Sequence, residues 1–583
     1  MTMMRNVESH FAQLPQANIQ RSIFDRSCSY KTTFNAGDLI PFFVDEVLPG
    51  DTFDISTAKV VRTQTLLTPL MDNLYLDTFY FYVPMRLVWD HWKEFCGENT
   101  AGPWAPTVQY TIPTIAPPEG GFESGTIADY MGLPIKTSWK ATDPLAPSAL
   151  PFRAYALICD HFFRDQNLQN PLVVPTGDAN QSGTNAGYND NPSNVANGGK
   201  PFVANRYHDY FSSALPSPEK GDPVGIPIDI PSTFAGGTFP VTTIPFDVNT
   251  PIPEGTQNRW FVWANTNNST NSGEFTPTSL QTLSKTTSTS TEDSGEVRLA
   301  GKTASGYLFS PANLATIIPA QSGGSAGTVE FTINQFRLAY TMQCYLERIA
   351  RSGSRYSELL LSLFGVKSPD ARLQDPEYLG GNRIPLDVTE ATNTAQTESE
   401  FLGDVGAKSV SSDVHSDFVK SFTEHGYLIG IMCVRYDASY SNGLNRMWMR
   451  KKFEDFYNPM FANLGETPIY SAEIYADDKT LADSSKVFGY QEIWADYRYK
   501  PSMVTGLMRP QAQGSLAYWH LADNYTQVPT LSSTWIQVDK ANIDRALAVS
   551  SSVAPQFWAD IFIKNKCTRC MPMYSIPALE PKF

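Results

Sequence analysis

Apolar residues recur along this chain with two periods, and the two-residue period dominates. In "LMDNLYLDTFYFYVP" (70–84) both alternating faces are apolar from Phe79 onward, which predicts a strand covered on both sides and ended by Pro84. The longest apolar run, "YLIGIMCV" (427–434), has strand length. "FNAGDLIPFFVDEVLPGDTFDIS" reads as two strands hinged at Pro49-Gly50. A 3.6-residue period appears twice. Over 152–168, Phe152, Tyr155, Ala156, Cys159, Phe162 and Phe163 predict a helix that Pro151 opens. Over 334–364, Phe336, Ala339, Tyr340, Tyr345, Leu346 and Ile349 predict a second, with Asn334 as N-cap and a break near Gly353.

Between these elements lie long stretches without a period. Residues 1–35 read as a polar, slightly basic N-terminal arm. Residues 176–200 read as a polar loop. Residues 222–330 form an insertion rich in Pro, Ser and Thr, with nine acidic against four basic residues, net −5. Such a composition buries little core by itself. A short strand at "RWFVWAN" (259–265) makes it a partly folded surface loop, the usual place for recognition. The remaining segments, 36–221 and 331–583, read as one mainly β body with inserted helices. Frequent turns support this, since the 583 residues include 42 Pro and 38 Gly.

Aromatic residues make up 12% of the chain and charged residues only 18%, against about 25% charged in ordinary soluble proteins. That balance implies much surface buried somewhere, between subunits being one place for it. A net charge of −15 opposes a protein whose whole surface coats nucleic acid. The start has no apolar run of signal-peptide type, and no segment reaches the ~18 apolar residues of a membrane span. Seven cysteines, an odd count with mostly wide spacing, give no disulfide framework, so a reducing cytoplasm is the expected site of synthesis.

Candidate chemistry is sparse. "CTRC" (567–570) lacks the second ligand pair that a structural zinc needs, so Cys567 and Cys570 read as ordinary thiols and no metal or other cofactor is expected. "GKT" (301–303) has Glu296 where a phosphate-binding loop requires glycine. The seven histidines are scattered, and no Ser or Cys nucleophile stands with a His and an acid, so no catalytic residues are assigned. "RMWMRKKF" (446–453) sets Arg446, Arg450, Lys451 and Lys452 around Trp448. It is a candidate DNA-facing patch, or equally a surface strand neutralised by Glu454 and Asp455 or a salt-bridge rim. "FGYQEIWADYRYKPSMVTG" (488–506) is dense in aromatic and charged residues. Read as a strand, it holds Glu492 and Asp496 ~13 Å apart at ~3.3 Å per residue, too far for paired-acid catalysis.

These features leave three readings open: an assembling structural protein, an all-β carbohydrate-binding or carbohydrate-active protein, and a free single-stranded-DNA binder. Six long segments favour the first: "FDRSCSYKTTFNAGDLIPFFVDEVLPGDTF" (24–53), "MDNLYLDTFYFYVPMRLVWDHW" (71–92), "RYHDYFSSALPSPEKG" (206–221), "SPDARLQDPEYLGG" (368–381), "KSFTEHGYLIGIMCVR" (420–435) and the 488–506 stretch. In that order they resemble the major capsid proteins of the Microviridae, specifically the gokushovirus branch. The resemblance implies a single eight-stranded antiparallel jelly roll with large loop and helical insertions. It implies a T=1 icosahedral shell around a circular single-stranded DNA genome, made in the host bacterial cytoplasm and found in the virion. The 222–330 insertion would form a threefold protrusion facing a host surface receptor, with Trp260, Trp263, Asn268 and Thr286 as candidate receptor-facing residues. The resemblance also implies a small basic DNA-binding protein and a minor pilot protein as partners. Tyr490, Glu492, Trp494, Asp496, Tyr497, Arg498 and Tyr499 then become candidate subunit-interface residues.

Overall fold

The computed structural model describes residues 20–100, 108–135, 146–221, 224, 332–392, 394, 405–483 and 485–574, together with strand pairs at 261–262, 281–282, 301–303 and 306–308. The candidate residues Trp260, Trp263, Asn268 and Thr286 lie outside the described residues. By internal packing the chain divides into two units, Met1–Val224 with Tyr340–Phe583, and Gly225–Ala339.

The larger unit is mainly β and antiparallel. Its strands are β1 (Ser22–Asp25), β2 (Cys28–Phe34), β3 (Ile40–Val47), β4 (Thr52–Thr63), β5 (Leu74–Pro84), β6 (Glu377–Pro385), β7 (Val388–Thr392), β8 (Val405–Ser421), β9 (Gly426–Tyr436), β10 (Glu466–Tyr470), β11 (Val487–Glu492) and β12 (Phe557–Arg569). In the first sheet β12 pairs with β2 and β1 along one edge and with β4 along the other. Beyond β4 come β8 and then β7. The second sheet runs β6-β5-β9-β3. The arm expected over 1–35 is therefore, from Ser22, part of a sheet: Cys28 pairs with Ile563 and Phe34 with Phe557.

The two sheets share a core that includes Phe34, Phe53, Ile55, Leu76, Leu428, Met432, Phe557 and Ile561. Strand β9 is buried from Gly426 to Val434 because its other face also packs, against a helical layer. That layer holds α1 (Leu150–Ile158), which continues as one π-helical turn, Cys159–Phe163. Strand β12 instead alternates buried and exposed residues, the signature of a sheet wet on one side.

One inward position on β4 is a lysine. Lys59 is fully buried, and its Nζ donates to Thr78 Oγ1 at 3.1 Å and lies 3.5 Å from Asp413. Burial pulls its ammonium below the usual lysine range, against the opposing pull of Asp417 and Asp413.

Two further helices, α2 (Ile333–Ser352) and α3 (Tyr356–Phe364), occupy the predicted helical stretch and break at Gly353, whose φ is +93°. The cap differs from expectation. Thr332 Oγ1 accepts from the Gln335 amide at 3.2 Å, so the helix starts one residue before Asn334. In the smaller unit, Phe261–Val262 pairs antiparallel with Gln281–Thr282, and Gly301–Thr303 with Gly306–Leu308.

Candidate functional site

Residues 437–556 leave the end of β9 as a long excursion, and the two aromatic, charged stretches meet there. Strands β10 and β11 pair antiparallel, with Glu466 opposite Glu492. On its other side, Tyr490 exchanges both backbone hydrogen bonds with Leu215, at 2.8 and 2.7 Å. Gln491 is buried and its amide donates to the Tyr210 carbonyl at 3.1 Å and to Ser213 Oγ at 2.8 Å.

The strand reading of 488–506 fails between Glu492 and the two-residue strand Ser502–Met503. Trp494 adopts φ +64°, ψ +19°, a left-handed conformation that stops β11, and Ala495–Arg498 then turns as the short helix α4. What holds a tryptophan there is burial. Its indole is 9% exposed, its Nε1 donates to the Phe461 carbonyl at 2.9 Å, and Tyr457 meets its ring edge-on at 5.6 Å.

The two acids do not face each other. Glu492 pairs with Arg498 one turn on, and Asp496 pairs with Arg450 of the other stretch. The Arg450 guanidinium also lies over Tyr497 (4.2 Å) and over Phe456 (5.7 Å).

The surface-strand reading of 446–453 also fails, because the segment is two short 3-10 turns, Arg446–Trp448 and Phe453–Asp455. Asn445 caps the first by accepting from the Met447 amide at 3.0 Å. In the second, the Lys451 and Lys452 amides each donate to Asp455 at 2.8 Å, which holds that carboxyl below its ordinary value. Arg446 turns inward, donating to the Pro468 carbonyl at 2.8 Å and lying 3.6 Å from Glu473. Glu473 is buried and accepts from the Tyr210 hydroxyl at 3.0 Å; burial raises its carboxyl above the ordinary value even so.

Of the basic patch, then, only Lys451 and Lys452 are exposed. Of the interface candidates Tyr497, Arg498 and Tyr499 are exposed, Tyr490, Glu492 and Asp496 are half-buried, and Trp494 is interior. Beside them the structure exposes Trp448, Phe453, Phe456, Tyr457 and Met460. Four of these the sequence reading passed over. The available signal was an apolar-rich run, "FEDFYNPMF", with neither helical nor strand period and an Asn458-Pro459 turn inside it.

Among the described residues no group of three or more His, Cys, Asp or Glu is placed to hold a metal ion, and no helix is long and apolar enough to cross a membrane. Cys567 is buried in the inter-sheet core, and Cys570 Sγ would lie 2.8 Å from a Cβ placed on Gly50.

An excursion dominated by exposed aromatic rings and internally paired charges suits packing against another macromolecule, and kinship says which class of protein builds it. The sequence matches the capsid protein (F protein) family over residues 12–579. The chain belongs to that family. It is 38% identical to the capsid protein VP1 of Chlamydia phage 1, with 98% of each chain covered. It is also 38% identical to VP1 of Bdellovibrio phage phiMH2K, over 99% of each, and 36% identical to VP1 of Spiroplasma virus 4, over 94% of this chain and 93% of that one. These relatives are gokushoviruses, and this chain is accordingly a structural major capsid protein, a component of the virion.

Proposed function

We propose that copies of this chain assemble into a T=1 icosahedral shell enclosing a circular single-stranded DNA genome, with the strands β2, β3, β4, β5, β6, β8, β9 and β12 forming one jelly roll. Supporting that fold name, these eight strands form two four-stranded antiparallel rows, β2-β12-β4-β8 and β3-β9-β5-β6. The observation that carries the assembly reading is kinship with capsid proteins from end to end. A closed shell needs large permanent contacts on several sides of each subunit, and the aromatic, charge-poor composition is consistent with such contacts.

The 222–330 insertion is proposed as the host-recognition protrusion, and a small basic DNA-binding protein and a pilot protein as further partners. Within the shell, the 446–452 turn contributes less to DNA binding than its four positive charges suggest, since Arg446 and Arg450 are committed to Glu473 and Asp496.

Negative-stain microscopy of cells producing the chain alone, or with the two small partners, tests assembly. Uniform icosahedral shells are expected, and soluble monomers under every condition would overturn the reading. Deleting 230–325 with shells retained is expected to abolish adsorption to the host; unchanged adsorption would remove the insertion from that role.

A further inference from the structure

Around α4 the excursion exposes more apolar surface than a solitary protein ordinarily tolerates. Trp448 and Phe453 are each 70% exposed, Met460 88%, and Phe456, Tyr457 and Tyr497 about half. With side chains of ~200 Å² each, these six present about 760 Å². The largest patch on an ordinary monomer covers ~300–600 Å², and one side of a standard protein interface ~800 Å². Three of these rings are joined directly, since Tyr497 lies 6.3 Å from Tyr457 and Arg450 bridges the Tyr497 and Phe456 rings, while Trp448, Phe453 and Met460 stand on the same run of short turns.

Its floor is rigid. Trp494 is anchored on the Phe461 carbonyl beneath Tyr457, and Arg450 is locked on Asp496. A face whose rings are already held loses little side-chain entropy on docking.

Charge decides the class of partner. Arg446, Arg450 and Arg498 are neutralised by Glu473, Asp496 and Glu492, and Lys451 and Lys452 sit beside Glu454 and Asp455. A nearly neutral surface carrying a methionine among its rings has the composition of a protein interface. A single-stranded-DNA platform needs an excess of cations along the strand. Since the chain is a capsid protein, the partner present at every subunit is another copy of it.

We propose that this patch, which carries Trp448, Phe453 and Met460, docks against a second copy of the chain and is buried in every assembled subunit. The proposal rests on the shell reading above and assigns one of its contacts.

The test is thiol labelling of Met460→Cys, with peptide mass spectrometry separating it from the seven native cysteines. A maleimide should react freely in dissociated subunits and at least about tenfold more slowly in both empty and DNA-filled shells, because an interface core excludes water. Protection only in filled shells would make DNA the occupant. Protection already in free subunits would make it another segment of the same chain. Equal reactivity everywhere would mean that nothing covers the patch. Each of these three overturns the proposal while leaving the shell reading standing. Absence of shells from the parent chain would overturn both. As a second readout, Trp448→Asp with Phe453→Asp should leave the subunit's thermal unfolding unchanged and abolish shells; normal shells would refute the assignment.

Discussion

The guanidinium of Arg450 lies 4.2 Å from the centre of the Tyr497 ring while it pairs with Asp496, joining two segments 46 residues apart in sequence. Both charged side chains are nearly buried, so each is the other's replacement for water. Arg450→Met keeps the stem and removes the charge, leaving Asp496 without a partner. We expect a loss of about 3 kcal/mol in subunit stability by denaturant unfolding. Adding Asp496→Asn should recover part of it. A single substitution within experimental error of the parent would show that the pair contributes nothing.

Trp494 reverses an ordinary ranking. At most positions Ala is more stabilising than Gly, but at φ +64° the Cβ itself is strained. Both Trp494→Ala and Trp494→Gly lose the buried indole, at a cost of roughly 3–5 kcal/mol. The Gly variant should nevertheless be the more stable of the two, by about 1 kcal/mol. Paired melting curves measure this directly, and Ala above Gly would mean that the turn relaxes once the indole is gone. For the same reason Trp494 substitutions report on folding and are poor probes of a subunit contact.

Glu473 gives a pH signature. Burial raises its carboxyl above the ordinary value, so the folded chain holds this proton more tightly than the unfolded chain does. Its contribution to stability is therefore complete below the unfolded value near 4.5 and is lost as pH rises through the folded value. Glu473→Gln cannot lose that proton. Relative to the parent, the variant should become more stable as pH goes from 4 to 7, read as the difference between the two melting temperatures. A difference flat with pH would mean that Arg446 fully compensates the buried charge.

Lys59 predicts a loss of a different kind. Lys59→Met would remove the buried cation that lies 3.5 Å from Asp413 and acts through space on Asp417, whose fully buried carboxylate accepts from Thr57 and otherwise has His415 beside it. The expected cost is about 3 kcal/mol by denaturant unfolding. Asp417→Asn in the same chain should restore a good part of it. No restoration would place the cost in packing and not in charge.

How much of this could be read from the residues varies by element. Strands β5 and β9 were legible because both of their faces are apolar over a strand's length, with Pro84 closing β5. The alternation of β4 already set Lys59 on the same side as Phe53 and Ile55, so even its burial was implicit in the pattern. The partners were not legible: no local signal says that 557–569 runs beside both 28–34 and 52–63. At 488–506 local preference misled, because Tyr490, Trp494, Tyr497 and Tyr499 all favour strands. The left-handed residue that ends the strand is held by contacts from 457 and 461, distant in sequence, and these override the preference. The exposed rings of 453–460 escaped notice for the opposite reason, since a segment of short turns carries no period to detect.

Strand β12 also bears on the birth of the molecule. It lies between β2 and β4, which leave the ribosome some 500 residues earlier. At 5–20 residues per second, the first strands wait roughly half a minute to two minutes for the one that joins them. Throughout that interval Phe34 lacks the Phe557 ring that stacks on it, and one edge of β4 lacks its partner strand. A fragment that stops before residue 557 lacks the strand that joins β2 to β4, so this sheet cannot form in it.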